Sequence, residues 1–115
     1  MLTVTEHTRK RLEKCIQKPA PTLADLRRSE WSREFIQLMR NRLLMGAFRY
    51  GLLVEKRAHN KYDMIGSLKR RIEMYEETGN MECMVDAANL CMLEFECPSH
   101  KNPHWEATDD GEHCT

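Results

Sequence analysis

The stretch that decides the fold is "NMECMVDAANLCMLEFE", residues 80–96. Its Met, Val, Ala, Leu, Cys and Phe residues cover almost the whole circumference of a helix, which is typical of a helix at the centre of a bundle. Three polar side chains interrupt this surface. Glu82, Asp86 and Asn89 are spaced by four and then three residues, so they share one face. Because burying an unpaired carboxylate is costly, we expect each acid to have a cationic, metal or hydrogen-bonding partner.

Two further amphipathic helices are predicted before this stretch. The first lies in "WSREFIQLMRNRLLMGAFRYG", residues 31–51, with Ser32 as its N-cap and Gly51 as its C-cap. The second begins at Asp63 and ends at the "TGN" of residues 78–80. The apolar positions that recur with a helical period are Phe35, Leu38, Met39, Leu43, Gly46, Ala47 and Tyr50 in the first, and Ile65, Leu68, Ile72 and Tyr75 in the second. Residues 52–62 show no clear period and predict a loop.

These patterns predict an all-α protein. We expect a small antiparallel bundle of three main helices, with an N-terminal helix over about residues 4–17 and an irregular C-terminal tail over 97–115. A length of 115 residues predicts a single domain, in which residues 1–21 form a peripheral helix and a proline-containing linker. The Met-rich helices of so thin a bundle leave apolar surface to cover, which predicts a homo-oligomer.

The composition excludes several classes of function. Lys plus Arg and Asp plus Glu each number 18, and a net charge of zero is not that of a strongly basic DNA or RNA binder. No segment approaches the roughly 20 apolar residues that span a bilayer, so no membrane association is expected. Five cysteines without a CxxC pair favour reduced thiols and a cytoplasmic location. No phosphate-binding Gly-rich loop, GxSxG or HExxH motif is present.

The polar face has two interpretations, and the residues alone leave both open. In the first, the carboxylates pair internally with arginines of the preceding helices and fix the helix register. In the second, Glu82 and Asp86 bind Mg²⁺ while arginines bind phosphate, because hard cations prefer carboxylate oxygens. The second interpretation assigns Arg49, Arg70 and Arg71 to phosphate groups, and Tyr50 or Tyr75 to a nucleobase.

The order of three elements resembles a known family. "MGAFRYG" at 45–51, "SLKRRIEMYEETGN" at 67–80 and "MECMVDAANLCMLE" at 81–94 are similar in layout to small phage-type members of the all-α nucleoside triphosphate pyrophosphatase group, which includes MazG-like proteins and dATP/dGTP diphosphohydrolases. The resemblance covers about residues 35–96. It implies a helical bundle, often completed by oligomerisation, that releases pyrophosphate from a nucleotide with Mg²⁺.

The resemblance also assigns roles. Glu82 and Asp86 match the group's second carboxylate motif, which makes them the metal-binding and catalytic residues, and Asn89 matches the amide that follows. One element departs from the pattern. The group's first metal motif is a pair of Glu residues three apart, whereas this chain has Glu34 and Gln37 there, followed by arginines. A two-metal site needs more carboxylates than that.

Three hypotheses about function follow. The first is a Mg²⁺-dependent nucleoside triphosphate pyrophosphohydrolase. The second is a protein that binds a nucleotide or nucleotide-derived signal without cutting it, as a phage anti-defence protein that sequesters signals would. The third is a structural or inhibitory protein-interaction module, in which the acids serve only to pair with arginines.

Overall fold

The structure is a computed structural model, and it describes residues 4–56 and 62–107. All regular structure in these ranges is helical, which confirms the predicted all-α class. The helices are α1 (Val4–Ile16), α2 (Leu23–Ser29), α3 (Arg33–Tyr50), α4 (Leu53–Lys56), α5 (Met64–Thr78) and α6 (Glu82–Glu96). None of these helices combines the length and the apolar character that crossing a bilayer requires.

The chain divides into two compact units, one of which contains α1 and α2. In this unit the linker after α1 is tied back to the helix. The Ala20 backbone N–H donates to Glu13 Oε1 at 3.2 Å, and Arg9 Nε donates to the Ala20 carbonyl at 3.3 Å. Cys15 is disulfide-bonded, so the expectation of reduced thiols is wrong for this residue. Cys83, Cys91 and Cys97 are free thiols.

Helix α2 begins with a capping box. The Thr22 hydroxyl accepts from the Asp25 backbone N–H, and the Asp25 carboxylate accepts from the Thr22 backbone N–H at 2.9 Å. These bonds hold the pKa of Asp25 below its usual range, the Thr22 backbone N–H having the largest effect. Because the pKa of Asp25 is lower in the folded than in the unfolded chain, the ionised carboxylate stabilises the fold at pH values above its unfolded pKa. This stabilisation is lost as the pH falls through the folded pKa.

The second unit, Arg33–Pro103, contains the three longer helices α3, α5 and α6. Their ends follow the predicted capping residues closely. Asp63 accepts from the Gly66 N–H at 2.9 Å, and Gly79 ends α5 with a left-handed φ of 71°. Helix α6 begins at Glu82, and the Asn80 side chain accepts from the Glu82 N–H at 3.1 Å.

Helix α6 forms the centre of this unit and packs against α5 and, less extensively, against α3. It supplies most of the buried side chains in the described ranges. The buried residues are Met64 and Ser67 on α5, and Cys83, Val85, Ala87, Asn89 and Leu90 on α6. Five of these seven buried residues thus lie on α6, within the stretch 80–96.

The buried face of α5 is shifted by about one residue from the predicted stripe. Leu68 of that stripe is half-buried, but Ile65, Ile72 and Tyr75 are exposed. Met64 and Ser67 are buried instead, and Arg71 is half-buried. Positions 64, 67 and 71 also have helical spacing. The polar residues take the inner positions because Arg71 forms an ion pair with α6, as described below.

Residues 52–62 contain a short helix where the sequence predicted a loop. Helix α4 (Leu53–Lys56) follows Gly51, whose φ of 86° ends α3, and the Glu55 N–H donates to the Leu52 carbonyl at 3.0 Å. The predicted loop residues 57–61 lie outside the described residues.

Two glycines offer a matched test of the helix ends. Replacing Gly79 by Ala puts a Cβ into a left-handed conformation with no steric contact within 4 Å, so the expected cost is conformational alone, about 1 kcal/mol in the free energy of unfolding. Gly46 lies inside α3, also with nothing within 4 Å, and Gly46→Ala should stabilise by up to about 1 kcal/mol. Denaturant unfolding of both variants checks this, and effects of equal sign would contradict the assigned ends.

Candidate functional site

The strongest polar contact of the unit joins α3 to α6. Arg42 Nε donates to Asp86 Oδ1 at 2.9 Å, and Arg42 Nη2 donates to Asp86 Oδ2 at 3.1 Å. This two-bond geometry is the preferred match between a guanidinium and a carboxylate. The hydrogen bonds to Asp86 raise the pKa of Arg42 above its ordinary value, so this side chain stays charged.

Two weaker contacts extend this ion pair. Arg71 Nε on α5 lies 3.4 Å from Asp86 Oδ2, and Arg42 Nη2 lies 3.5 Å from Glu82 Oε1. The Asp86 side chain is only 14% exposed, whereas that of Glu82 is 55% exposed. Asp86 therefore connects three helices, while Glu82 lies at the solvent edge. This is the internal arginine–carboxylate network of the first interpretation.

Asn89 lies one helical turn beyond Asp86 and is 5% exposed. Its Nδ2 donates to the Met39 carbonyl of α3 at 3.0 Å. A carbonyl accepts only, so the amide nitrogen must face Met39 and the amide oxygen must point elsewhere. Asn89 Oδ1 is buried and has no hydrogen-bond partner among the described residues.

A cavity of about 370 Å³ opens beside these residues. It runs between α3, α4, α5 and α6 and has polar and apolar walls. Its lining comprises Arg42, Leu43, Met45, Gly46, Ala47, Arg49, Tyr50, Gly51, Leu52, Leu53, Tyr62, Met64, Arg71, Asp86, Asn89, Leu90 and Leu93. This volume is within the range of small-molecule sites, about 300–1,000 Å³.

The cavity brings together part of the predicted site. Five predicted residues line it: Arg49, Tyr50, Arg71, Asp86 and Asn89. Glu82, Arg70 and Tyr75 do not line it. Arg70 donates instead to the Ser67 hydroxyl at 3.0 Å. The two neighbouring arginines of α5 thus have different surroundings, although the sequence offered no reason to separate them.

Among the lining residues that the sequence did not assign to the site, Arg42 and Tyr62 carry polar groups. Arg42 is one of the arginines of the preceding helices that the first interpretation pairs with the acids, and its position seven residues before Arg49 was the available signal. Tyr62 was assigned to the loop before α5. Its place in the cavity depends on how the chain returns from α4 to α5, and no local pattern reports that path.

The donor set around Asp86 does not match a magnesium site as it stands. Both Asp86 oxygens accept from Arg42, and an Mg²⁺ ion would need those same oxygens. In the described ranges no three His, Cys, Asp or Glu side chains are grouped to hold a metal. Magnesium binding by Glu82 and Asp86 remains a prediction that requires Arg42 to move away.

The unequal burial of the two acids gives a test of the network. Asp86→Asn leaves Arg42 half-buried without its counter-charge, and we expect a loss of about 2 kcal/mol in the free energy of unfolding. Glu82→Gln is the matched control and should cost less than about 1 kcal/mol, because exposed ion pairs contribute little. Denaturant titration of both variants measures the difference. Equal losses would show that Asp86 does not hold the helices together.

Comparison with protein-family models, with curated proteins and with solved structures found no match to this chain. The resemblance to the all-α pyrophosphatase group therefore remains a prediction from its short motifs, and the site has to be interpreted from its own geometry.

Proposed function

We propose that this protein binds a nucleotide or a nucleotide-derived small molecule in the cavity between α3, α4, α5 and α6, and that it does so without hydrolysing it. The observation that carries the proposal is a buried polar atom in the cavity lining, Asn89 Oδ1, which lacks a hydrogen-bond partner in the described part of the chain. Arg71 Nε also lies in the lining and is buried, and it has only its 3.4 Å ion-pair contact with Asp86 Oδ2.

Unsatisfied buried groups are uncommon because each costs about 1–3 kcal/mol. Asn89 Oδ1 requires a donor, and Arg71 Nε can donate to an acceptor that is better aligned than Asp86 Oδ2. A molecule that carries both an N–H group and anionic oxygens supplies the two partners together. The amino or imino groups of a nucleobase and the oxygens of a phosphate have this combination.

The charge of the cavity favours an anion. Arg42, Arg49 and Arg71 contribute three positive charges, and Asp86 contributes one negative charge. Arg42 is committed to Asp86, but Arg49 makes no hydrogen bond or ion pair with any described residue. Its guanidinium is thus available for a phosphate, which it matches in geometry. Tyr50 and Tyr62 add aromatic surface on which a base can stack.

Binding without turnover agrees with the state of Asp86. A carboxylate held by two hydrogen bonds from Arg42 is not placed to bind a metal or to take a proton from water. The same geometry supports a structural role for Asp86 beneath the cavity, with the arginines and Asn89 contacting the ligand. Hydrolysis with Mg²⁺ is the alternative, and it requires this ion pair to open.

The proposal is tested by thermal shift and calorimetry with ATP, dATP, a cyclic dinucleotide and ADP-ribose, each with and without Mg²⁺. The same samples are examined by ion-exchange chromatography for product. We expect at least one of these probes to raise the melting temperature without forming product, because a ligand that binds only the folded state stabilises it. Product that appears only with Mg²⁺ would replace the proposal by the hydrolase. Absence of any shift would overturn nucleotide binding.

Two arginines give the matched variants for a probe that binds. Arg49→Gln removes an unpaired cation of the cavity and should weaken binding about tenfold or more, the equivalent of one charge-assisted hydrogen bond. Arg70→Gln removes a cation that faces Ser67 outside the cavity and should leave the dissociation constant unchanged. Calorimetric titration of both variants measures this. Equal weakening would indicate binding to general surface charge instead of the cavity.

A further inference from the structure

The side of α3 that faces away from α6 presents an apolar surface to solvent. Phe48 is 92% exposed and Leu44 is 74% exposed, and Leu38 and Met45 are also exposed. Met45 lies at the border of this side, since it also lines the cavity. We call these four residues the outer face of α3. No residue of α3, from Arg33 to Tyr50, is buried. Clustered exposure of this kind marks an interaction surface, whereas scattered apolar residues do not.

The outer face has the spacing of a helix-pairing seam. Three of its residues, Leu38, Met45 and Phe48, form a row with the neighbouring Asn41 at intervals of three, four and three residues, the repeat by which one helix packs along another. Leu44 lies beside this row. Asn41 accepts a hydrogen bond from the Gln37 side chain at 3.0 Å, so the polar groups on this face satisfy each other. The middle of the face is uncharged.

Two charged residues lie near opposite ends of the face. Glu34 is in the first turn of α3 and Arg49 is in the last. Neither makes a hydrogen bond or ion pair with a described residue. If two copies of α3 pair in opposite directions, Glu34 of each copy lies near Arg49 of the other. Pairing in the same direction would place like charges together and align the helix dipoles unfavourably.

We infer that the outer face of α3 binds the same face of a second copy of this chain, with the two α3 helices antiparallel about a two-fold axis. A two-fold interface must be complementary to itself, and a helix with an apolar middle and opposite charges at its ends meets that condition. The charges at the helix ends, together with the exposed apolar residues, thus identify a second copy of this chain as the partner.

The first experiment measures the mass of the 115-residue chain by sedimentation equilibrium over the micromolar range. We expect the mass of two chains for the natural sequence and of one chain for Phe48→Glu and Leu44→Glu, because each places a carboxylate in the apolar middle. Phe95→Glu is the matched control, since Phe95 is a similarly exposed aromatic on α6, and it should stay dimeric. A single-chain mass for the natural sequence at every concentration would overturn the inference.

The second experiment tests the antiparallel direction with surface substitutions that leave the core intact. Glu34→Arg and Arg49→Glu should each raise the dimer dissociation constant about tenfold. The double variant restores opposite charges at both ends and should return the constant to near its original value. Failure of the double variant to recover would overturn the antiparallel pairing. Mass is measured without ligand, so loss of nucleotide binding in the Arg49 variant does not affect the result.

Discussion

The Arg42 guanidinium binds both carboxylate oxygens of Asp86, and the position of α3 on α6 depends on this contact. The apolar core cannot supply the same constraint. Its buried side chains are Met64, Cys83, Val85, Ala87 and Leu90, all of them on α5 or α6. Helix α3 therefore rests on a half-buried interface whose register is set by directed hydrogen bonds. The Asn89 bond to the Met39 carbonyl adds a second such constraint one turn away.

This way of holding the helices shapes the cavity beside them. An ion pair keeps two long side chains between α3 and α6, and small residues such as Gly46 and Ala47 line the space next to them. Asp86 neutralises Arg42 and also pairs with Arg71 Nε, so Arg49 is the arginine of the cavity lining that this network leaves unpaired. Asp86, the acid to which the resemblance gives a catalytic role, is thus held by arginines of α3 and α5 in this structure.

The ends of α5 could be predicted because each depends on the chemistry of one residue. The Asp63 carboxylate accepts from a backbone N–H of the first turn, and Gly79 ends the helix because a left-handed conformation favours glycine. The inner face of α5 was missed because the sequence pattern counts apolar residues, whereas Ser67 and Arg71 take inner positions through contacts with other side chains. Tyr62 lines the cavity because of how the chain returns from α4 to α5, and no local sequence pattern predicts that course.

Arg49 lies where the two sides of α3 meet. Arg49 lines the cavity, and it also lies at the end of the outer face, where the antiparallel pairing places it near Glu34 of a second copy. One guanidinium cannot give its full set of bidentate hydrogen bonds to a phosphate and to a carboxylate at once. The two proposals taken together therefore predict that ligand binding and self-association oppose each other at this position. Because such coupling is reciprocal, an anion that engages Arg49 would weaken the pairing by the same factor by which the pairing would weaken anion binding.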